Sequence, residues 1–545
     1  MQKIWKPLLD GRKWSLGKIM NSILNERGII NQDRFLYPIE EDLLPLDSFL
    51  NIKQAADVVT SGIKNKNSFL VYFDSDTDGV TSGAIMTRYL RDHSVNPDVY
   101  INSGKQHGLR YEAPCFQKKY DIVIIVDSIE TEPYLYEELL NLGTKIVVLD
   151  HHDLVPSTLA IQKRINLVSS MNEYENPHLC GAGVTLKFCL YLDYLLGTDY
   201  AQQYYDLAST GICADMMNVG PESMENRYIC YRGFDKVNNL AIKKINGGYV
   251  MNSTAVAFGI APLVNAANRM NKNWDALKLF LSDDEEEIDE LIKSLKCCKE
   301  KQNDKVDEIF AQIKEQAKSQ EDKKVMFFVI DNVEDSAGVS GLLANKVLGQ
   351  YQRPVVITQE TVDQSGEEVY SGSLRATGVE DFSKMVNKTR YAKAMGHSNA
   401  AGFIAKKKNI DKFKDKIEKE LKDVEFKQYA TVDIQLTQRQ ISKELINNLL
   451  ALNRISGQGF QPISVMIEDI DDYEVGYMSG GKHTKITTPY MMFIKWNSDD
   501  WETIPDDASI AAIGTLEQGY IGRKFYYKMI MNDYRIDERI DLDDI

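Results

Sequence analysis

Between residues 69 and 150, short apolar runs each stop at a polar or acidic position: FLVYF before Asp74, DVYI before Asn102, DIVIIV before Asp127 and KIVVL before Asp150. Continuous β-branched runs separated by helical patterns predict buried parallel strands of an α/β sheet. Ligands of such sheets bind at the carboxyl ends of the strands, and aspartate closes three of these four ends. Over residues 282–323 the chain becomes highly charged. There Ile288, Leu291, Ile292 and Leu295, then Val306, Ile309, Phe310 and Ile313, keep helical spacing, which predicts one or two long amphipathic helices. VMFFVI (325–330) and PVVIT (354–358) start a second α/β unit that runs to about residue 426. From residue 429 the pattern changes to TVDIQL, ISVMIEDI, YEVGYM, HTKITT, MMFIKW, SIAAIGTL and FYYKMIM. Many short strands with interleaved aromatics predict a small OB-like β-barrel.

Composition narrows the functional classes. A chain of 545 residues is too long for one core and calls for several domains. Hydrophobic content of 43% and charged content of 26% fit a soluble globular protein. The opening MQKIWKPLLDGRKW has no signal-peptide stretch, no run reaches membrane-spanning length, and a cytoplasmic protein without a membrane partner is expected. The seven cysteines form no CxxC pair, which argues against a disulfide framework and a zinc ribbon. A formal charge of −16 argues against a passive coat for nucleic acid. It does not exclude a nuclease, because bound cations invert the local field of a carboxylate site.

The sharpest local motif is Asp74-Ser75-Asp76-Thr77-Asp78-Gly79, with carboxylates at alternate positions. An EF-hand loop also opens this way, but Ile85 stands where its twelfth-position glutamate belongs and a buried strand comes before it. The second motif, Asp150-His151-His152, closes a strand and mixes imidazole with carboxylate, a donor set suited to Mn²⁺ and similar ions. With Asp127, and with Asp215 in STGICAD, there are enough ligands for two ions sharing a bridging carboxylate. A salt-bridge cluster uses the same residue types, but four segments ending in such groups favour the metal pair.

These four segments resemble motifs I to IV of the DHH phosphoesterase superfamily, and their flanks resemble its RecJ branch of single-strand exonucleases. LCGAGVTLKF (179–188), APLVNAANRM (261–270), SGSLRATG (371–378), GHSNAAGF (396–403) and ISGQGFQP (455–462) continue the resemblance in the same order, over residues 70–490. The resemblance implies a parallel-sheet DHH domain joined by a long helix to a smaller α/β DHH-associated domain, followed by the OB-like barrel. The expected division is an N-terminal segment (1–45), a DHH domain (46–270), a helical connector (271–323), a DHH-associated domain (324–427) and an OB-like nucleic-acid-binding domain (428–545).

Carried over residue by residue, the resemblance implies Asp76, Asp78, Asp127, His151 and Asp215 as ligands of two Mn²⁺ or Mg²⁺ ions, with Asp127 as the bridge. Asp74 and Asp150 would orient that set, and His152 would face the scissile phosphate. Ser373 and Arg375 would hold a terminal 5′-phosphate, with His397, Asn265, Arg269, Lys105 and His107 as further substrate contacts. The chain departs from the family at Leu263, where an arginine is usual, at Asn268, where a glycine is usual, and at Ser336, where a histidine is usual. These changes touch nucleic-acid contacts, not metal ligands.

The implied activity is metal-dependent 5′→3′ hydrolysis of single-stranded DNA to mononucleotides or short products, in recombination, repair and replication, by a monomer. A helicase or a single-strand-binding protein is the implied further partner. Tyr473, Tyr477, Tyr490, Phe493 and Trp496, with Lys482, His483, Lys485 and Lys495, are the stacking and basic candidates of the C-terminal region, although aromatics also fill barrel cores. The alternatives are a DHH phosphodiesterase of short oligonucleotides or cyclic dinucleotides, which would not need the C-terminal region, and a non-catalytic replication scaffold, which would not need intact ligands. The acidic ending RIDERIDLDDI reads first as a solvated tail.

Overall fold

The computed structural model describes residues 4–102, 108–330, 339–363, 365–426, 429–478, 480–481, 483–496, 504–505, 508–521 and 524–537. Within them the chain forms two compact units. One is built from Ser294–Tyr429 with Arg269–Lys272; the other holds Trp5–Asn268, Asn273–Lys293 and the C-terminal strands.

Strand β1 (Ile4–Asp10) comes first in the chain and joins a sheet described below. Five strands then build the sheet that carries the candidate site: β2 (Phe69–Phe73), β3 (Asp98–Ile101), β4 (Ile122–Val126), β5 (Lys145–Asp150) and β6 (Leu167–Ser169). They pair in the order β3-β2-β4-β5-β6, every pair parallel. All residues of β2 and β4 are buried, as their unbroken apolar sequences require of strands covered on both faces. The helix Thr77–Asp92 follows β2 and packs on the helices Gly181–Leu196 and Tyr205–Ala214. Three strand ends, at Asp74, Asp127 and Asp150, therefore open on one edge of the sheet.

In the smaller unit, β7 (Met326–Val329), β8 (Val355–Val362), β9 (Glu368–Arg375), β10 (Ala392–His397) and β11 (Ala400–Lys406) pair in the order β10-β11-β9-β8-β7. β7 and β8 are parallel and linked through the helix Ser340–Tyr351; the other pairs are antiparallel. The charged stretch predicted as one or two helices is a single helix, Glu285–Lys318. Its residues Val306, Ile309 and Ile313 enter a core with Met326, Phe328, Val355 and Ile357.

The C-terminal strands are β12 (Tyr429–Thr437), β13 (Ser464–Ile470), β14 (Glu474–Met478), β15 (His483–Thr487), β16 (Met492–Lys495), β17 (Ser509–Ile521) and β18 (Lys524–Asp537). With β1 they make an eight-stranded sheet in the order β1-β12-β13-β17-β18-β16-β15-β14. Among the described residues no pairing joins β1 to β14, so the predicted barrel is found here as an open sheet. SIAAIGTL and FYYKMIM are also parts of longer strands, paired along their whole length as a hairpin with an irregularity between Ile513 and Gly514. Ile19, Ile23, Leu24 and Phe35 from the N-terminal region share the core of this sheet with Leu445, Leu449 and Ile467. Among the described residues no helix is long and apolar enough to cross a membrane. All seven cysteines are free thiols.

Candidate metal centre

Each predicted ligand sits at the end of a regular element. Asp76 caps the helix Thr77–Asp92, accepting from the Gly79 N–H at 3.0 Å. Asp78, the second residue of that helix, turns its carboxylate to the start of the helix Gly181–Leu196, where Oδ2 accepts from Gly181 N at 2.8 Å and Oδ1 from Ala182 N at 3.0 Å. These are two of the N–H groups that a helix start leaves without intrahelical partners. Asp127 follows β4 with φ +53°, in the left-handed region that aspartate tolerates better than most residues. Asp215 ends the helix Tyr205–Ala214.

His151 lies at the middle of this set. Its Nε2 is 3.1 Å from Asp127 Oδ1, 3.6 Å from Asp78 Oδ2 and 3.7 Å from Asp215 Oδ2. His152 Nδ1 is 3.0 Å from Asp150 Oδ1 and 3.8 Å from Asp127 Oδ1. Two donor sets converge within 4.8 Å: Asp127, His151 and His152, and Asp78, His151 and Asp215. Asp76 stands outside both sets, but its charge acts on Asp74, Asp78, Asp127 and Asp215. Asp150 is fully buried and works as a clamp: Oδ1 accepts from the backbone of His151 and His152 at 2.7 Å each, and Oδ2 from Ile129 N at 2.8 Å.

The charges confirm how costly this arrangement is without a cation. Burial, reinforced by Asp78 and Asp76, raises Asp127 well above the usual carboxylate range. Burial and the charges of Asp78 and Asp76 push Asp215 to about 8; burial and Asp76 push Asp74 to about 7. Burial also raises Asp78, against the opposing charge of His151. His151 is lowered by burial, which favours the neutral ring that ligates metals. Burial is the largest single influence on both His152 and Asp150, but their mutual charge and hydrogen bond, with further neighbouring groups, together overcome it: His152 rises to about 9 and Asp150 falls below its ordinary value.

A divalent ion fits these residues. Asp127 Oδ1 is buried and receives no hydrogen bond, while imidazole nitrogens and two further carboxylates face it or its neighbours. A buried acceptor of this kind is expensive unless something positive meets it. Oxygen and nitrogen donors without thiolate suit Mn²⁺ or Mg²⁺ more than a structural zinc.

Two glycines that sequence reasoning did not single out make the centre possible. A Cβ on Gly181 would stand 2.7 Å from Asp127 Cβ, and one on Gly211 would stand 2.3 Å from Asp78 Oδ1. Their signal was present in LCGAG and STGICAD, where each glycine sits in an otherwise helical pattern.

The predicted substrate contacts divide. Asn265 is close to the start of the Asp76–Asp78 helix, its Oδ1 accepting from Thr77 Oγ1 at 3.1 Å. In the smaller unit, Ser373 and Arg375 lie on β9, with Ser373 Oγ 2.9 Å from Ser340 Oγ. Gly341 leaves room there: a Cβ on it would be 2.9 Å from Arg375 Nη2. Arg269 belongs to the same unit, close enough for the Arg375 charge to lower its pKa further than burial alone. His397 ends β10 opposite Ala400. Lys105 and His107 lie outside the described residues, as do Ser336 and Lys482.

Comparison with known proteins agrees with this geometry. Residues 68–212, which span every ligand segment except Asp215, match the DHH family, N-terminal domain. A prophage-derived protein of Bacillus subtilis that bears the name of a single-strand DNA-specific exonuclease is 28% identical over 519 residues, covering 88% of each chain. The single-stranded-DNA-specific exonuclease RecJ of the same organism is 24% identical over 495 residues, 86% of this chain and 61% of that protein. Residues 68–212 thus match a DHH domain, and along most of its length the chain is similar to proteins of the RecJ type. Its fold also matches the crystal structure of Thermus thermophilus RecJ in complex with Mn²⁺, with TM-score 0.75 at 21% identity over 98% of this chain and 80% of that one. The RecJ-type fold thus includes the smaller unit and the C-terminal sheet as well as the DHH region.

Proposed function

We propose that this RecJ-type chain is a metal-dependent exonuclease that hydrolyses single-stranded DNA from the 5′ end. The observation that carries the reading is the convergence of Asp78, Asp127, His151 and Asp215 around a buried, unsatisfied carboxylate oxygen at the ends of parallel strands. These four, with Asp76, would hold two Mn²⁺ or Mg²⁺ ions. When bound, such ions lower the pKa of a water and draw charge from the non-bridging oxygens of a phosphate.

The chain's own residues do the rest. Asp150 fixes His151 and His152 through their backbones and holds His152 Nδ1, which supports a role for Nε2 of that ring at the scissile phosphate. Asp150 and the other carboxylates around it raise His152 above the ordinary imidazole value, which suits it to bring a proton to the oxygens of the bond that breaks. In the smaller unit the Ser373 hydroxyl and the Arg375 guanidinium hold the terminal 5′-phosphate, a task that suits a planar fork of donors. In the C-terminal sheet, exposed Tyr477, Tyr490 and Trp496, with His483, Lys485 and Lys495, supply stacking and charge for the strand beyond the site. Phe493 is core, and Tyr473 is tied by its hydroxyl to Pro505 and Ala508. A role in DNA repair or recombination, with a helicase opening duplex ends, follows from a single-strand substrate.

A strand labelled separately at each end, incubated with Mn²⁺ and either wild type or Asp127→Ala, tests the reading. Early release of the 5′ label, lost in the variant, is expected. Activity that survives in Asp127→Ala removes the metal centre; internal cleavage removes the exonuclease; activity confined to dinucleotides points to a short-substrate phosphodiesterase.

A further inference from the structure

The helix Lys443–Asn453 has two unlike faces. Leu445, Ile446, Leu449 and Leu452 are buried in the core of the C-terminal sheet. The other face carries Lys443, Asn447, Leu450 and Ala451 and runs on to Arg454, with the period of the helix. From Lys443 to Arg454 it is about 16 Å long. A polar outward face ordinarily meets only solvent; this one lines two clefts. Lys443 borders a cleft of about 380 Å³ with Tyr490, Phe525 and Tyr527. Asn447, Leu450 and Arg454 border a second, of about 420 Å³, with Val250 and Leu516.

The chemistry of this face is one-sided. Asn447 Oδ1 accepts from the Tyr527 hydroxyl at 2.9 Å and Asn453 Oδ1 from Ile463 N at 2.8 Å, so both amides are turned with their NH₂ groups to the clefts as donors. Lys443 Nζ lies 5.8 Å from the centre of the exposed Phe525 ring and, among the described residues, forms no ion pair. Arg454 lies 5.9 Å from the centre of the Tyr231 ring, and its ion pair with Asp235 is long, at 3.9 Å, and exposed. Glu517, the carboxylate of the second cleft, is already engaged by Lys528 at 2.9 Å. The walls of that cleft are tied together, since Ser253 N donates to Arg454 O at 3.0 Å and Ser456 N to Ser253 Oγ at 3.1 Å. Ser253 Oγ also accepts from Cys213 Sγ at 3.5 Å, which brings this wall against the helix that ends at Asp215. Donors along the face, a cation at each end and exposed Tyr490, Phe525 and Val250 beside them suit a polyanion that carries flat apolar groups.

We propose that the outward face of the helix Lys443–Asn453 is a track for single-stranded nucleic acid, whose phosphates meet Lys443, Asn447 and Arg454 and whose bases enter the clefts beside Phe525 and Val250. The inference rests on the single-strand reading above and deepens it: the strand is assigned to a surface that neither the ligand motifs nor the basic cluster of the C-terminal strands marks. Contacts to phosphates and ring faces carry no sequence information, so the track takes any sequence.

Equilibrium binding of fluorescent oligothymidylate to the full chain, in EDTA so that nothing is hydrolysed, tests the track. Lys443→Ala and Arg454→Gln are each expected to weaken binding roughly tenfold and to lower its salt dependence by about one ion. Lys443 is exposed, so its replacement leaves the fold intact, and glutamine at 454 removes the charge while keeping a donor for the Met251 carbonyl. Photo-cross-linking of strands that carry bromodeoxyuridine should label the peptides holding Phe525 or Tyr490 and the peptide holding Val250. A wild type that binds while both variants keep its affinity and salt dependence overturns the track and leaves the single-strand reading standing. A wild type that does not bind oligothymidylate overturns both. Cross-links confined to Tyr477 and Trp496 also overturn the track, because they place the strand elsewhere on the sheet. So does an equal loss of affinity for thymidine monophosphate, which would make the clefts separate nucleotide sites.

Discussion

Gly181 is pressed against Asp127: a β-carbon on the glycine would stand 2.7 Å from that of the aspartate, at the position where the helix Gly181–Leu196 begins. Neither side can yield easily, because Asp127 is fixed by its left-handed backbone and by its N–H donating to Leu149 O at 2.9 Å. Gly181→Ala is therefore expected to displace the carboxylate, destabilise the fold by about 1–3 kcal/mol and weaken Mn²⁺ binding at least roughly tenfold. Calorimetric titration with Mn²⁺, alongside a melt of the metal-free protein, checks both. Native metal affinity in the variant would show that Asp127 is not a ligand.

The metal-free centre should make stability fall as pH rises. Asp215, at about 8 in the fold, keeps a proton that the unfolded chain releases near the ordinary carboxylate value of about 4. The stabilisation from that proton is complete below the unfolded value and is lost as pH climbs through about 8. His152 acts in the same direction, its contribution present below about 6.5 and lost through about 9. The melting temperature without metal is thus expected to drop between about pH 4 and pH 9, and saturating Mn²⁺ should flatten the drop by replacing protons with cations. Mn²⁺ binding near neutrality should also release protons, visible as a heat that changes with the ionisation enthalpy of the buffer. A binding heat independent of buffer would contradict this account.

Arg227 is among the largest fully buried side chains, and among the described residues no carboxylate pairs with it. It donates to the carbonyls of Phe35, Val219 (3.1 Å) and Ile455 (3.1 Å), and its guanidinium lies 3.5 Å from the centre of the Phe35 ring. Burial pulls its pKa down to about 9. Arg227→Met fills the space but leaves three buried carbonyls without a donor, at about 1–3 kcal/mol for each orphaned group. A loss of several kcal/mol in urea unfolding is expected; a neutral result would mean that water reaches these carbonyls.

Lys187 and Glu225 form a buried ion pair at 2.6 Å, with Tyr174 and the Leu44 carbonyl completing the lysine's contacts. Lys187→Met alone strands the carboxylate and should cost about 3–5 kcal/mol. Adding Glu225→Gln removes the stranded charge while keeping an acceptor for Leu44 N and the Tyr174 hydroxyl, so the double variant should recover most of the loss. A double variant no better than the single would assign the cost to packing.

The site was legible in the sequence to the extent that its chemistry is local. FLVYF, IVIIV and KIVVL are strands β2, β4 and β5, and the aspartates that stop them meet because parallel neighbours end on the same edge. The open C-terminal sheet was less legible, since the pairing of β1 with β12 joins segments that share no local pattern. Gly181, Gly211 and the left-handed turn at Asp127 matter through close approach between distant elements, which spacing along the chain does not encode. Gln302 was hidden for another reason: in a helix this charged, one glutamine looks like solvated surface until burial separates it.

The edge position of β1 has a consequence for how the molecule is made. Its partner β12 begins at Tyr429, so more than four hundred residues must leave the ribosome before the first strand has an edge to pair with. At roughly 5–20 residues per second, that is a wait of about 20–80 s. During this time Leu8, half-exposed even in the finished sheet, and the apolar face of the helix Leu16–Glu26 have no partner. The DHH region is complete much earlier, and the nascent chain then carries a folded catalytic centre with an adhesive N-terminal segment. Holding that segment apart until synthesis ends is a task for a chaperone, and fast expression at high temperature is where the chain should aggregate first.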